Sequence, residues 1–546
     1  MSALLSSDDL NDFIKPSVAC IKPVEGPDLQ STSSIQISGD DSNPLEVFTD
    51  GTSKSLEPAQ ISLSDCLACS GCITSAEEIL VAQHSHKELL NAIKNKHDTK
   101  FVASISHQSR ASLALAYNVS IEVMDIILID LFSTKFGFQY IVGTELGRLI
   151  SLQQSIEEID NYKSQKNNNN NNNNNHGGPL MSSVCPGWVL YVEKTHPEII
   201  PNLSIVKSPQ QITGCLLKHS ASQSLGVPID KVYHVSIMPC FDKKLEAARP
   251  ENDGNSNNNN VNDVDCVITA KELVQLMNDE NLSFENYVNE ITSNPELPKL
   301  LQTIDIIRKK YSPELFKFGV ESWYSNLGSA SGGYAHNYIN YLQKKHCSKS
   351  TEVVTINGRN EDIYEIRLVD TDSKELYGSV AIVNGFRNIQ NLIRKVGELN
   401  GGKKPIRKKG GLLARRRAKL AGAAATVPAK TVVKEIADGL NCDYVEVMAC
   451  PGGCINGGGQ ISAPGDNNVG TANAAKLWQQ QSIVKYQSIV TIQDVLDDSL
   501  TTGVQHYMKD FGGYFGVSMS RITEAHFQKV QSTNVDNSAI ALTSTW

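Results

Sequence analysis

Three separate segments of this chain carry a short apolar run into a cysteine that adjoins a proline. LMSSVCPGW reaches Cys185, VYHVSIMPC reaches Cys240, and DYVEVMACPGGC reaches Cys450 and Cys454. Runs of this length, bounded by turn residues, read as strands. KFVASIS from Lys100, FQYIVG from Phe138, DCVITA from Asp265 and SVAIV from Ser379 read the same way. Between them lie amphipathic stretches such as RNIQNLIRKVGEL, which sets Ile389, Leu392, Ile393 and Val396 on one helical face. That alternation predicts an α/β fold built on mainly parallel sheets with flanking helices. In such sheets ligands sit beyond the carboxyl ends of the strands, so thiols placed there converge although they are far apart in sequence. Pro186, Pro239 and Pro451 stop the strands and free the thiolates. The glycines of ACPGGCINGGGQ, Ala449 to Gln460, leave room for something bulky. Cys185, Cys240, Cys450 and Cys454 together satisfy a tetrathiolate site.

A second constellation lies nearer the amino end. DCLACSGCITSAEE holds Cys66, Cys69 and Cys72 at the C-x2-C-x2-C spacing that wraps three corners of a cubane. A bacterial ferredoxin run places its fourth cysteine at position 76, which here is Ala76 followed by Glu77. Cys20, the only other cysteine in the first 180 residues, is the candidate for the fourth corner. Ser75 and Glu78 form a capping box that starts a helix just beyond the loop. Zinc is the competing metal, because four thiolates suit it too; the spacing favours the cluster.

The opening MSALLSSDDLNDF has no basic start and no apolar core, and runs such as DIILIDLF are too short to span a bilayer. The expectation is a soluble, cytoplasmic protein in which 12 cysteines remain reduced and serve metal or catalysis rather than disulfides. A net charge of −9 argues against direct nucleic-acid binding by the whole surface. Three low-complexity inserts, near 164–177, 250–263 and 401–430, read as disordered loops. The first two are rich in asparagine. The third carries KKPIRKKGGLLARRRAKL, with nine Lys or Arg and no acid, which reads as a solvated loop or, alternatively, as a nuclear-import signal or polyanion contact. Cys215, Cys266, Cys347 and Cys442 lie outside the motifs and read as small hydrophobes. His107 and His196 read as structural. The triplet Gly457 to Gly459 lacks the Lys and Ser or Thr of a phosphate loop.

SVCPGWVLYVEKTHPEIIPNLSIVKSPQQITG, MPCFDKKLEA and EVMACPGGCINGGGQ, in that order, resemble the three signature segments of the iron-only hydrogenase superfamily. GFRNIQN at Gly385, with the Cys20 and Cys66 to Cys72 pattern, resembles its non-hydrogenase branch. That branch comprises the cytosolic iron-sulfur assembly factors of the Nar type, also called nuclear prelamin A recognition factor-like. The resemblance implies two α/β lobes over 99–546 and an N-terminal ferredoxin-like cluster region over 1–98. It implies one [4Fe-4S] cluster on Cys20, Cys66, Cys69 and Cys72, and a second on Cys185, Cys240, Cys450 and Cys454, buried between the lobes. Hydrogenases carry a proton-donating cysteine where this chain has Val184, and valine carries no exchangeable proton. Lys243, at the position of a residue that holds the two-iron unit in hydrogenases, is retained. The implied role is non-catalytic: relay of a [4Fe-4S] unit from scaffold proteins to the cytosolic targeting complex. The alternatives are an iron-only hydrogenase or related redox enzyme, and a binding module for a prenylated nuclear protein. Trp546, ending SAIALTSTW, resembles the terminal aromatic residue through which assembly factors and clients engage the targeting complex.

Overall fold

The computed structural model describes residues 84–168, 177–249, 261–326, 328–400, 436–463, 472–492 and 496–529, together with three short strands at Ser34–Gln36, Leu45–Val47 and Ser53–Ser55. Nine strands build its two main sheets: β1 Lys100–Ile105, β2 Tyr140–Gly143, β3 Leu180–Met181, β4 Val232–Met238, β5 Cys266–Thr269, β6 Thr351–Asn357, β7 Ile363–Asp370, β8 Leu376–Asn384 and β9 Tyr444–Met448.

The first sheet has the order β2-β1-β4-β5 and is parallel throughout. Both faces are covered. Phe101, Ala103 and Ile105 of β1 face a core with Leu113, Ile127, Leu128 and Leu273, whereas Val102 faces the opposite core with Ile150, Ile212, Leu216 and Phe511. Period-two alternation therefore distributes apolar side chains to two helical layers, and the strands read as continuous apolar runs because neither face meets water. The helix Ala270–Asp279 follows β5 directly and starts on a complete capping box, with Thr269 and Glu272 answering each other's backbone.

The second sheet has the order β6-β7-β8-β9-β3. β8, β9 and β3 are parallel, while β6, β7 and β8 form an antiparallel meander. The meander departs from the sequence reading, in which only β8 was visible as an apolar run. β6 lies at the sheet edge and its residues are exposed or half-buried, so TEVVTIN has no continuous apolar signal. β3 is also shorter than LMSSV suggests. At Ser182 the side chain takes over from the ladder: its Oγ accepts the Val447 N–H at 2.8 Å, while its own N–H donates to Val445 O at 2.9 Å. Ile389, Leu392, Ile393 and Val396 are all buried, as the helical pattern predicts, on the helix Phe386–Leu399.

The first asparagine insert starts later than its composition suggests, because the helix Glu145–Asn168 runs on through Asn167 and Asn168. Residues 169–176, 250–260 and 401–435, which hold the rest of the inserts, lie outside the described residues. Among the described residues no single helix is long and apolar enough to cross a membrane.

Candidate metal centre

Each cysteine of the carboxyl-terminal quartet stands just past a strand end. Cys185 is the N-cap of the helix Pro186–Thr195, with Pro186 at its first turn, where the missing N–H costs nothing. Cys240 lies two residues past β4 and leads into the helix Asp242–Ala247. Cys450 lies two residues past β9, and Cys454 opens a one-turn helix, Cys454–Asn456. β4 belongs to the first sheet, β3 and β9 to the second, so the thiols meet where the two lobes face each other.

The four side chains form one electrostatic unit. Burial pushes the Cys450 thiol well up, and Cys240, Cys185 and Cys454 push it further. Cys240 is raised by burial, by Asp242, and by Cys454 and Cys185. Cys454 is pushed up to about 12, mainly by burial and then by Cys185. Cys185 is raised by burial and by Asp242, against which its sulfur accepts the Ala449 N–H at 3.3 Å. Burial also pushes the Asp242 carboxyl up to about 6. Thiols held protonated in this way, Cys185 buried and the other three half-buried, must lose their protons to bind a metal or a cluster.

Four cysteine thiols can hold the corners of a cubane or a single tetrahedral zinc.

The loop that carries two of them is tightly strapped. Gly453 has φ +84°, and a Cβ there would stand 2.0 Å from Ser331 Oγ. Gly459 N–H donates to Pro239 O at 3.0 Å, Lys271 N–H donates to Gly459 O at 3.1 Å, and the Gln460 side chain donates to Gln108 O at 2.9 Å. A loop that leaves the second sheet is thereby fastened to the first.

The family model described as "Iron only hydrogenase large subunit, C-terminal domain" matches residues 99–458. A protein of Scheffersomyces stipitis named "Cytosolic Fe-S cluster assembly factor NAR1" is 47% identical over all of this chain and all of its own length. The protein of the same name from Saccharomyces cerevisiae is 40% identical over 85% of this chain and 86% of its own. This chain belongs to the NAR1 family of cytosolic Fe-S cluster assembly factors. Its fold is that of the iron-only hydrogenases: a variant of apo [FeFe]-hydrogenase HydA1 from Chlamydomonas reinhardtii superposes with a TM-score of 0.53 at 17% identity, covering 82% of this chain and 99% of that one.

Seen as a NAR1-family chain, the surroundings of Cys185 acquire meaning. Val184 is a buried hydrocarbon. Lys243 Nζ donates to Val184 O at 2.9 Å and to both Glu246 carboxylate oxygens at 3.0 and 2.9 Å, so its protons are engaged by the chain's own oxygens. Glu246 is fixed in turn by Ser208 Oγ and Gln210 Nε2.

The remaining sequence candidates fall where their chemistry predicts or beyond view. Cys20, Cys66, Cys69, Cys72 and Trp546, with the Ser75 capping box, lie outside the described residues. Cys215, Cys266 and Cys442 are buried and Cys347 is exposed. Buried His107 contacts Glu145 at 3.3 Å and bonds Tyr324 O through Nε2, and His196 pairs with Glu198 at 3.0 Å. Two residues at the centre escaped the sequence reading: Ser331, whose Oγ accepts the Cys454 N–H at 2.9 Å, and Glu446, buried in the middle of β9. A lone carboxylate inside the apolar run DYVEVM was the available signal for the second.

Proposed function

We propose that this chain is a non-catalytic component of cytosolic iron-sulfur protein assembly that holds two [4Fe-4S] clusters and mediates cluster transfer from scaffold proteins to the targeting complex. Cys185, Cys240, Cys450 and Cys454 hold the buried cluster; Cys20, Cys66, Cys69 and Cys72 hold an exposed one within an amino-terminal region, 1–98, preceding the hydrogenase-like domain, 99–546. The observation that carries this reading is the meeting of four thiols, Cys185 buried and the other three half-buried, past three strand ends of two different sheets. The names of the relatives support the pathway and its cytosolic setting.

Such a cluster supplies a reversible one-electron couple when bound. The chain's own part is to give up four thiol protons, all held against release by burial, and to exclude water with Val184, Trp188 and Met448, which are buried. The non-catalytic reading rests on Val184, which offers no proton where hydrogen chemistry needs one. Retention of Lys243 is the residue-level argument for the alternative, an iron-only hydrogenase, and its engagement with Glu246 weighs against a free role. Trp546 is the proposed contact with the targeting complex, an apolar face beside a carboxylate.

Anaerobic iron and acid-labile sulfide analysis with electron paramagnetic resonance tests this directly. The expected result is two cubanes in the full chain and one in Cys69→Ala, with no hydrogen evolved from reduced viologen. Zinc without acid-labile sulfide would overturn the cluster assignment, and robust hydrogen evolution would overturn the non-catalytic one.

A further inference from the structure

The segment from Glu524 to Gln528 lies against the helix Pro186–Thr195 and is held differently from the residues before it. The helix Met519–Thr523 is firmly seated: Ile522 is fully buried in the core of the first lobe, and the Arg521 guanidinium donates to both oxygens of Asp263 at 2.7 and 2.8 Å. Beyond it the chain pairs only briefly with 205–207. Lys207 N–H donates to Thr523 O at 2.7 Å, Ala525 N–H donates to Ile205 O at 2.6 Å, and Glu524 faces Val206 in an antiparallel bridge. Two further contacts end on one ion pair. The Gln528 N–H donates to Glu193 Oε1 at 3.2 Å, and the half-buried Phe527 ring lies 5.6 Å from the Arg249 guanidinium, which donates to Glu193 Oε2 at 2.6 Å.

Behind this strap is a void. A cavity of about 240 Å³ has Glu524, Ala525 and Phe527 on one wall and Ser183, Pro186 and Glu246 on others. Ser183 and Pro186 flank Val184 and Cys185 in sequence, and Glu246 fixes the lysine that donates to Val184 O. The cavity therefore reaches the chain on both sides of one corner of the quartet. A segment over a cavity lacks partner atoms on its inner side, and His526 and Gln528 are exposed on the outer one. Few contacts across an open space, with a fixed helix as the hinge, are what a locally opening unit requires. The Cys450 to Gln460 loop is closed more firmly. It is bonded to Pro239, Lys271 and Gln108, and a Cβ on Gly452 would collide with the Gln479 amide.

We propose that residues 524–528 are a gate over the Cys185 side of the quartet, which peels from 205–207 and Glu193 while Met519–Thr523 stays seated, and that the quartet is loaded and emptied past it. This rests on the reading of the quartet as a cluster site. Phe527 is the latch, because its ring joins the strap to the Arg249–Glu193 pair and to the core that contains Val184 and Cys185. The competing route is the cleft of about 730 Å³ that runs past Pro451, Gly452 and Gln479.

The experiment compares full-length wild type, Phe527→Ala, Phe527→Tyr and Gln479→Ala. After anaerobic reconstitution, brief chelator treatment removes the accessible cluster, and loss of the resistant iron and sulfide is followed over time, with the thermal midpoint measured alongside. Phe527→Ala should lose them about tenfold faster than wild type at an unchanged thermal midpoint, because one anchor of the opening unit is gone. Phe527→Tyr, which keeps a ring on Arg249, should stay near the wild-type rate, and Gln479→Ala should match it. In metal-free protein, iodoacetamide labelling of Cys185, read by peptide mass spectrometry, should follow the same order. Equal rates in wild type and Phe527→Ala, a thermal midpoint that falls in step with the rate, or faster loss in Gln479→Ala than in Phe527→Ala would overturn the inference and leave the cluster reading intact. Absence of resistant iron and sulfide from the wild type would instead remove the cluster reading. Cys185 labelling then decides alone whether the strap governs access, and equal labelling in wild type and Phe527→Ala would overturn that as well.

Discussion

The two lobes solve the problem of buried charge in different ways. In the lobe of the first sheet, Asp125 is fully buried between Arg110 and Arg308, with both contacts to it at 2.6 Å, and Lys244 and Lys218 are buried against Glu272 and Asp265. In the lobe of the second sheet, Glu446 turns to the backbone amides of Gly333 and Ala335, and Glu365 adds those of Asp438 and Gly439 to its pair with Arg367 at 2.7 Å. Ion pairs make the first lobe complete within itself. The second lobe fixes loops with its carboxylates, and one of them, the loop of Ser329 and Gly333, holds the Cys454 amide through Ser331. The proposed cluster site thus draws three of its four cysteines from one lobe, to which the other contributes Cys240 and an anchorage.

The sharpest way to break this comparison is to remove one thiol from each lobe. Cys450→Ala and Cys240→Ala should both abolish the buried cluster. Cys450→Ala should cost more fold stability, because cluster binding completes a loop that the second lobe depends on, and binding energy is there also folding energy. Acid-labile sulfide and urea unfolding measure the two effects, and equal destabilisation would show that the lobes share the site evenly.

A smaller effect is expected from Asp125→Ala. It leaves Arg110 and Arg308 buried without their common partner, which costs about 3–5 kcal/mol. Chemical denaturation should show that loss in the first lobe, with buried iron and sulfide retained in the protein that stays folded. Loss of the cluster at native conditions would mean the ion pairs support the site directly.

Smallest is a pH effect confined to the first lobe. Burial lowers His234 to about 4, and burial followed by the Lys244 charge lowers His84 to about 4. Between the unfolded value near 6.5 and that figure, the unfolded chain binds more protons than the folded one. Stability is therefore fully present above about 6.5 and is lost as pH falls toward 4, by roughly 3 kcal/mol for a single such histidine. The urea midpoint should fall between pH 7 and pH 5, and His234→Gln should flatten that slope. An unchanged slope would place the pH sensitivity outside β4.

Much of this was legible beforehand. The seven apolar runs all contain strands, and Cys185, Cys240, Cys450 and Cys454 meet at strand ends because proline and parallel pairing leave them there. What escaped was written in residues without a pattern. β6 carries no apolar run because it is an edge, and β3 stops early because one hydroxyl imitates a carbonyl. Ser331 sits in SNLGSASGG, whose small residues announce a turn and nothing more; its role depends on Glu446, more than a hundred residues later.

The strap from Cys450 to Gln460 also has a temporal meaning. Cys185 and Cys240 leave the ribosome with the first sheet, but Cys450 and Cys454 and the amides that fasten to Pro239 follow some 210 residues afterwards. At about 5–20 residues per second that interval is roughly 10–40 s. During it the early thiols have neither their partners nor the loop that covers them. On the proposed reading, metal offered in that window would find half a site, so loading of the quartet would have to wait for a nearly finished chain.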